Sequence, residues 1–202
     1  MNSVRTQCTY FEQTGKVNTD KTLQLAYQRA QELGIKTLLV ATTTGFTPVR
    51  ATELLSDDVD IVAVTHSTGF REPDMQELDP EQRELLEERG VHVLTTQHAF
   101  GGVGRAVRKQ LGSYQTEEII AYTLRRFGQG MKVVAEIALM AADAGLVSVQ
   151  RPLVVVAGTG RGADTAVILQ PANAQAFFDL KFMEIICMPA PDHPAFGMNG
   201  TV

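Results

Sequence analysis

Short apolar, β-branched runs alternate along the chain with amphipathic stretches, the pattern of a mostly parallel sheet covered by helices on both faces. The first strand is predicted around Gln7 to Glu12. A helix follows, opening at Asn18 as N-cap and closing at Gly34, with Leu23, Ala26, Tyr27 and Ala30 on its apolar face. Further strands are predicted at Thr37 to Ala41, Asp60 to Thr65 and Val91 to Thr96. Between them lie a helix with Pro48 in its first turn, ending near Leu55, and a helix from Pro80 to Arg89 stopped by Gly90. The glycine-rich turn Gly101 to Gly104 opens a basic helix, and Thr116 starts a capping pattern with Glu117 and Glu118 in the first turn. Met131 to Leu146 is apolar almost all round, which predicts a buried central helix. Pro152 to Ala157, Ala166 to Leu169 and Glu184 to Met188 complete the strands. The class is α/β, with one ligand-binding domain over residues 1–189 and a loose Pro- and Gly-rich tail over residues 190–202.

Composition narrows the partners. The 202-residue chain carries 18 Lys and Arg against 23 Asp and Glu, a net charge of -5 that offers no long-range attraction to nucleic acid or an anionic membrane. No apolar run approaches the roughly 20 residues of a bilayer span, and the N-terminus lacks an apolar signal core. Cys8 and Cys187 stand far apart, outside any metal or redox spacing. The expectation is a cytoplasmic protein with no nucleic-acid or membrane partner and no metal. The apolar central helix and short C-terminal strands admit self-association as a homo-oligomer without requiring it.

The two ends of the strands differ in chemistry. Connections entering strands, Glu32 to Lys36, Ser56 to Asp60 and Glu87 to His92, are short and plain. Those leaving strands are rich in Gly, Thr, Ser and His: Glu12 to Thr19, Thr42 to Thr47, Thr65 to Gly69, Gln97 to Gly104 and Gly158 to Thr165. In an open parallel sheet these share the carboxyl edge, where ligands bind. Within Thr42 to Thr47, the groups Thr43, Thr44, Gly45 and Thr47 bring hydroxyls and free N–H groups to a helix start, which suits a phosphate. No lysine follows Gly45, so this is not a Walker A loop; the alternative is a Thr-rich strand end with an ordinary helix cap. The second cradle, Gly158 to Thr165, contains Thr159, Gly160, Arg161, Gly162, Asp164 and Thr165. It formally matches a dinucleotide fingerprint, but the residues after it are short and β-branched where that fingerprint needs a long helix. Its glycines let backbone approach an anionic or planar ligand, with Arg161 free to fork onto phosphate. A plain flexible turn is the competing reading.

His66 and Ser67 sit at a strand end beside Thr65 and Thr68, as a ligand contact or a loop brace; no G-x-S-x-G elbow exists. His92 and His193 read as structural or solvent-exposed, and His98 stays open. Glu136 either pairs with Lys132 one turn earlier or faces the crevice, and Asp143 falls near the helix end. Phe177, Phe178 and Phe182 have core spacing. No constellation assigns a catalytic acid, base or nucleophile.

The loop Thr42 to Thr47 resembles the phosphate-binding loop of the pyruvate kinase C-terminal domain. The chain as a whole resembles stand-alone proteins of that α/β-domain family through Tyr10-Phe11-Glu12 with Asn18-Thr19, Thr65-His66 with Thr68-Gly69, Met140 to Asp143, Arg161 to Ala166 and Glu184 to Pro189. The resemblance implies a three-layer α/β/α fold with a mixed, mostly parallel sheet, and flavin mononucleotide (FMN) as the cofactor of some members. The kinase's catalytic barrel has no counterpart here, so pyruvate kinase activity is not expected. Phe46 stands where the kinase loop has a small or polar residue, which tells against a sugar bisphosphate. The leading expectation is an FMN-binding protein of unknown reaction, with a flavin-dependent oxidoreductase left open. It would hold the phosphate on Thr43, Thr44, Gly45 and Thr47 and the ring near His66, Ser67 and Gly160 to Gly162. The alternative is a regulatory module sensing a phosphorylated metabolite or nucleotide; a nicotinamide dehydrogenase built on Gly158 to Ala163 ranks last.

Overall fold

The computed structural model describes residues 2–56 and 58–198. One seven-stranded sheet organises them, in the order β1-β7-β6-β5-β2-β3-β4. The strands are β1 (Thr9–Phe11), β2 (Thr37–Ala41), β3 (Asp60–Val64), β4 (His92–Leu94), β5 (Leu153–Ala157), β6 (Thr165–Gln170) and β7 (Lys181–Pro189). The helices are α1 (Thr19–Leu33), α2 (Phe46–Leu54), α3 (Pro80–Glu88), α4 (Val103–Leu111), α5 (Thr116–Leu124), α6 (Gln129–Asp143) and α7 (Pro194–Met198). Strand β6 runs antiparallel to both neighbours and every other pairing is parallel.

Strand alternation sorts the core into two halves, because successive side chains leave opposite faces of the sheet. Leu38, Val40, Val154, Val156, Ala166 and Ile168 pack with Leu23, Ala26 and Ala30 of α1, Ala51 of α2 and Leu86 of α3. Leu39, Val62, Val64, Val155, Val167 and Leu169 pack with Met131, Val134, Ile137, Ala138 and Ala141 of α6. Strand β5 is buried along its whole length, which is why it reads as an unbroken apolar run. Each such buried valine contributes about 1.5–3 kcal/mol over an exposed one. Helix α5 adds an outer cluster in which Ala121 and Phe100 meet Ala135 and Leu139, the far side of α6. That second contact is the reason α6 is apolar almost all round.

Several local expectations shift. A 3-10 turn, Gly15–Asn18, precedes α1; Asn18 holds the N-cap position as expected, but its side chain makes no cap hydrogen bond and its amide donates to the Gln13 carbonyl. The cap of α5 is Gln115, not Thr116: its N–H donates to the Glu118 carboxylate at 3.4 Å. Strand β4 stops at Leu94, short of Thr96, and beyond it the Thr95 hydroxyl meets that of Thr65, 2.7 Å away. Strand β7 begins at Lys181, ahead of Glu184, since it pairs with β6 at its start and with β1 at its end. The core spacing of the phenylalanines does not hold: Phe178 is 92% exposed and Phe182 lies on the exposed start of β7, while Phe177 alone packs inward. His193 stacks on Tyr10 with ring centroids 5.2 Å apart. Asp57, in the Ser56 to Asp60 turn, and Asn199–Val202 of the tail lie outside the described residues.

Candidate functional site

The carboxyl ends of the parallel strands open onto a crevice of about 500 Å³, within the usual range of small-molecule sites. The hairpin Gly158 to Thr165 joins β5 to antiparallel β6 and reaches the same edge. A strand follows its glycines, which removes the helix that a dinucleotide fingerprint requires.

One end of the crevice is built on the start of α2. Gly45 is the N-cap, with φ +100, and its N–H donates to the Thr42 hydroxyl at 2.9 Å. Pro48 lies in the first turn, so the N–H groups of Phe46 and Thr47 stand at the positive end of the helix dipole without intrahelical acceptors. A Cβ on Gly45 would lie 2.5 Å from the Gln82 Cβ in addition to the positive φ. Gly45→Ala is therefore expected to cost about 1–3 kcal/mol in urea unfolding and to misplace the loop. An unchanged unfolding midpoint would show that α3 yields and that the glycine is not required.

The glycine hairpin closes over this end. Gly162, φ +73, packs so tightly on the 3-10 turn that a Cβ would lie 2.5 Å from the Lys16 Cα. The Ala163 N–H donates to the Thr19 hydroxyl at 3.0 Å. Asp164 is fully buried beneath: one carboxylate oxygen accepts from the N–H groups of Gly15 (2.7 Å) and Thr159 (3.1 Å), the other from the Thr165 hydroxyl (2.8 Å). Lys16 and Arg161 thereby reach the crevice from two loops tied together, and the Lys16 ammonium sits 4.2 Å from the Phe46 ring centroid.

The other end is aromatic and cationic. His66 Nδ1 lies 2.6 Å from the buried Glu77 carboxylate, which accepts from it, and Glu77 also holds Arg71 at 2.7 Å. The rings of His66, Phe70 and His98 cluster within 4.2–5.4 Å, and Arg105 of α4 lies 5.0 Å from the Phe70 centroid. Arg125, from the 3-10 turn before α6, is fixed by Gln129 at 2.8 Å. On the α6 wall, Val133, Ile137 and Met140 give an apolar strip beside the pair Lys132 and Glu136. Glu136 accepts from the Phe100 N–H at 3.1 Å and lies 3.4 Å from His98 Nδ1. Burial would raise its pKa, but the His98 hydrogen bond and the Lys132 ammonium outweigh burial and hold the carboxyl at about 2. Both sequence readings of Glu136 are thus realised together: it pairs with Lys132 and it faces the crevice. Asp143 instead closes the end of α6, accepting from Asn173 and the Ala174 N–H.

Of the residues singled out from sequence, Thr43, Thr44, Thr47, His66, Gly160, Arg161 and Gly162 line the crevice together. Gly45, Ser67, Thr159, Asp164 and Thr165 stand behind the wall: Gly45 shapes the turn, the Ser67 N–H points at His98 Nε2, and the Asp164 network joins the loops. Sequence reasoning missed Lys16, Phe70, Arg105 and Arg125. Lys16 and Arg105 were findable as cations in or beside the flagged edge loops; Arg125 has no local signal, because helix packing alone brings it there. The result is five cationic side chains, Lys16, Arg105, Arg125, Lys132 and Arg161, against the single carboxylate of Glu136. Among the described residues no group of three or more His, Cys, Asp or Glu is placed to hold a metal ion, and no helix is long and apolar enough to cross a membrane.

A family model described as pyruvate kinase, alpha/beta domain, matches residues 20–169. Among solved structures, a pyruvate kinase from Cryptosporidium parvum is 15% identical, with a TM-score of 0.41, over 76% of this chain and 23% of that one. The Cryptosporidium parvum pyruvate kinase in complex with ADP is likewise 15% identical, with a TM-score of 0.38, over 82% of this chain and 23% of that one. The chain thus matches less than a quarter of the length of either kinase.

Proposed function

The chain belongs to the pyruvate kinase α/β domain family, and from the chemistry of its crevice we propose that it binds a phosphorylated small molecule with a flat, partly apolar body, FMN being the ligand. The observation that carries this reading is the charge inversion at the site. Five cations and a helix N-terminus converge on one crevice in a chain of net charge -5. A cavity with low-dielectric walls focuses such a field on an anion.

The residues fit FMN on three counts. Thr43, Thr44, Thr47 and the first N–H groups of α2, with Lys16 and Arg161, supply donors for a phosphate. Ile137, Met140 and Val64 offer an apolar strip for a ring, and the backbone at Gly160, also in the crevice wall, faces open space. His66 and Gln129 are polar groups suited to ring carbonyl and nitrogen atoms. A flavin, when bound, supplies redox chemistry; the protein's part is to orient it and to set the surrounding charge.

The test is a visible spectrum of freshly purified protein, heat release with mass analysis, and an FMN titration. A flavin spectrum or uptake of added FMN is expected, with affinity falling about 10- to 100-fold in Arg161→Ala, as for loss of a charged hydrogen bond. The pair Thr47→Val with Gly45→Ala is expected to lose it further. Protein that neither carries nor takes up FMN would overturn the FMN assignment. Binding of phosphorylated sugars or nucleotides in its place would make the domain a metabolite-sensing module.

A further inference from the structure

Lys132 is the one buried lysine: Lys16, Lys21, Lys36, Lys109 and Lys181 are all exposed. Its side chain is 6% exposed, yet it belongs to the crevice wall. The groups facing it come from three sides. Glu136 pairs with it one turn along α6; Arg125 and Arg105 oppose it from the preceding turn and from α4; the Phe100 ring lies 5.8 Å from its ammonium. His98 reaches the same Glu136 carboxylate from the loop after β4. Burial lowers the Lys132 pKa, Glu136 opposes that, and the like charges of Arg125 and Arg105 add to the lowering. An amine that is desolvated and crowded by cations gives up its proton more readily, and imine formation with a carbonyl requires the neutral amine.

We propose that Lys132 forms an imine with an aldehyde or ketone that carries a phosphate, the phosphate resting at the start of α2 and the carbonyl carbon reaching the α6 wall. The phosphate part rests on the binding mode proposed above. The step balances with water carrying the proton. The Lys132 ammonium loses its proton to water in the crevice, and the neutral amine adds to the carbonyl carbon to form a carbinolamine. The departing hydroxyl takes a proton back from water and leaves as water, and the protonated imine is left beside the Glu136 carboxylate. The two cations not paired, Arg105 and Arg125, disfavour the resting ammonium without taking part in the proton transfer.

Pyridoxal 5′-phosphate, an aldehyde with a phosphate, is the probe, and phosphate-free pyridoxal is its comparison. The full chain is incubated with each, reduced with borohydride and mapped by peptide mass. Lys132 is expected to label ahead of the exposed lysines despite its burial, with a half-maximal pH below theirs; each unit of lowering raises the free-amine fraction about ten-fold at neutral pH. Inorganic phosphate is expected to slow the 5′-phosphate probe. Lys132→Arg, which keeps a cation beside Glu136, is expected to lose this label alone while its circular dichroism and melting stay native. Label confined to exposed lysines in protein that binds FMN or phosphate would overturn the imine and leave the phosphate site standing. Equal labelling of Lys132 by both probes, indifferent to inorganic phosphate, would uphold the imine and overturn the phosphate site.

Discussion

Glu136→Gln is expected to destabilise the fold by about 3–5 kcal/mol at neutral pH, the usual cost of breaking a buried ion pair by removing one partner. The carboxylate is 3% exposed and is fixed by three neighbours, Lys132, His98 and the Phe100 N–H. Glutamine keeps an acceptor for the Phe100 N–H but turns an amide against the Lys132 ammonium. The pH dependence separates this account from simple mispacking. In the native protein the Glu136 carboxyl is held at about 2, below its ordinary value of about 4.3. Its contribution is complete above the unfolded value and is lost as pH falls from about 4.3 toward 2, because the unfolded chain takes up the proton first. The variant loses this acid slope and gains one of the same sign at higher pH. Lys132, buried without its partner, favours the neutral amine when folded and the ammonium when unfolded, so the unfolded state binds more protons and stability rises with pH through the alkaline range. Urea unfolding of both proteins between pH 3 and pH 10 reads both slopes. A variant whose deficit is the same at every pH would rule out the charge argument. Adding Lys132→Met is expected to restore most of the loss, since it removes the unpaired buried ammonium and leaves the glutamine carbonyl to accept from the Phe100 N–H.

The parts of this molecule visible in the sequence are those with local causes. Strand β5 announces itself because burial on both faces demands an uninterrupted apolar run, and α3 because Asp79 and Pro80 cap and start it within consecutive residues. The edge loops stand out because ligand-facing turns need Gly and Thr while the opposite turns do not. The antiparallel course of β6 was not visible, since Thr165 to Gln170 is β-branched and buried whichever way it runs. The cationic end of the crevice was hidden for a different reason. Arg105 lies on a helix with no buried residue, where an arginine looks like an ordinary solvated charge. Only the packing of α4 beside Phe70 turns it inward. Net charge misleads in the same way, because it averages a negative surface with one positive crevice. The sequence placed Asp164 among the ligand contacts from its position in the loop, whereas its burial gives it a bracing role.

That role sets the second large effect: Asp164→Ala is expected to cost about 3–5 kcal/mol and to lower FMN affinity at the same time. Removing the carboxylate strands the buried Gly15 N–H, the Thr159 N–H and the Thr165 hydroxyl, and each unsatisfied buried donor costs about 1–3 kcal/mol. Water entering from the crevice relieves the Thr159 side more than the Gly15 side, which keeps the sum below three full penalties. The same bonds hold the 3-10 turn that carries Lys16 to the hairpin that carries Arg161. Freed from each other, these loops present their cations to a ligand only after ordering them, and that ordering reduces affinity. Asp164→Asn separates bracing from charge. Its carbonyl oxygen can accept the two backbone N–H groups, and its amide can donate to the Thr165 hydroxyl, which accepts as readily as it donates. Asn is therefore expected to retain most of the stability and of the FMN affinity, with Ala losing both. Measured by urea unfolding and FMN titration, equal losses in the two variants would mean that the negative charge of Asp164, and not its hydrogen bonds, holds the site together.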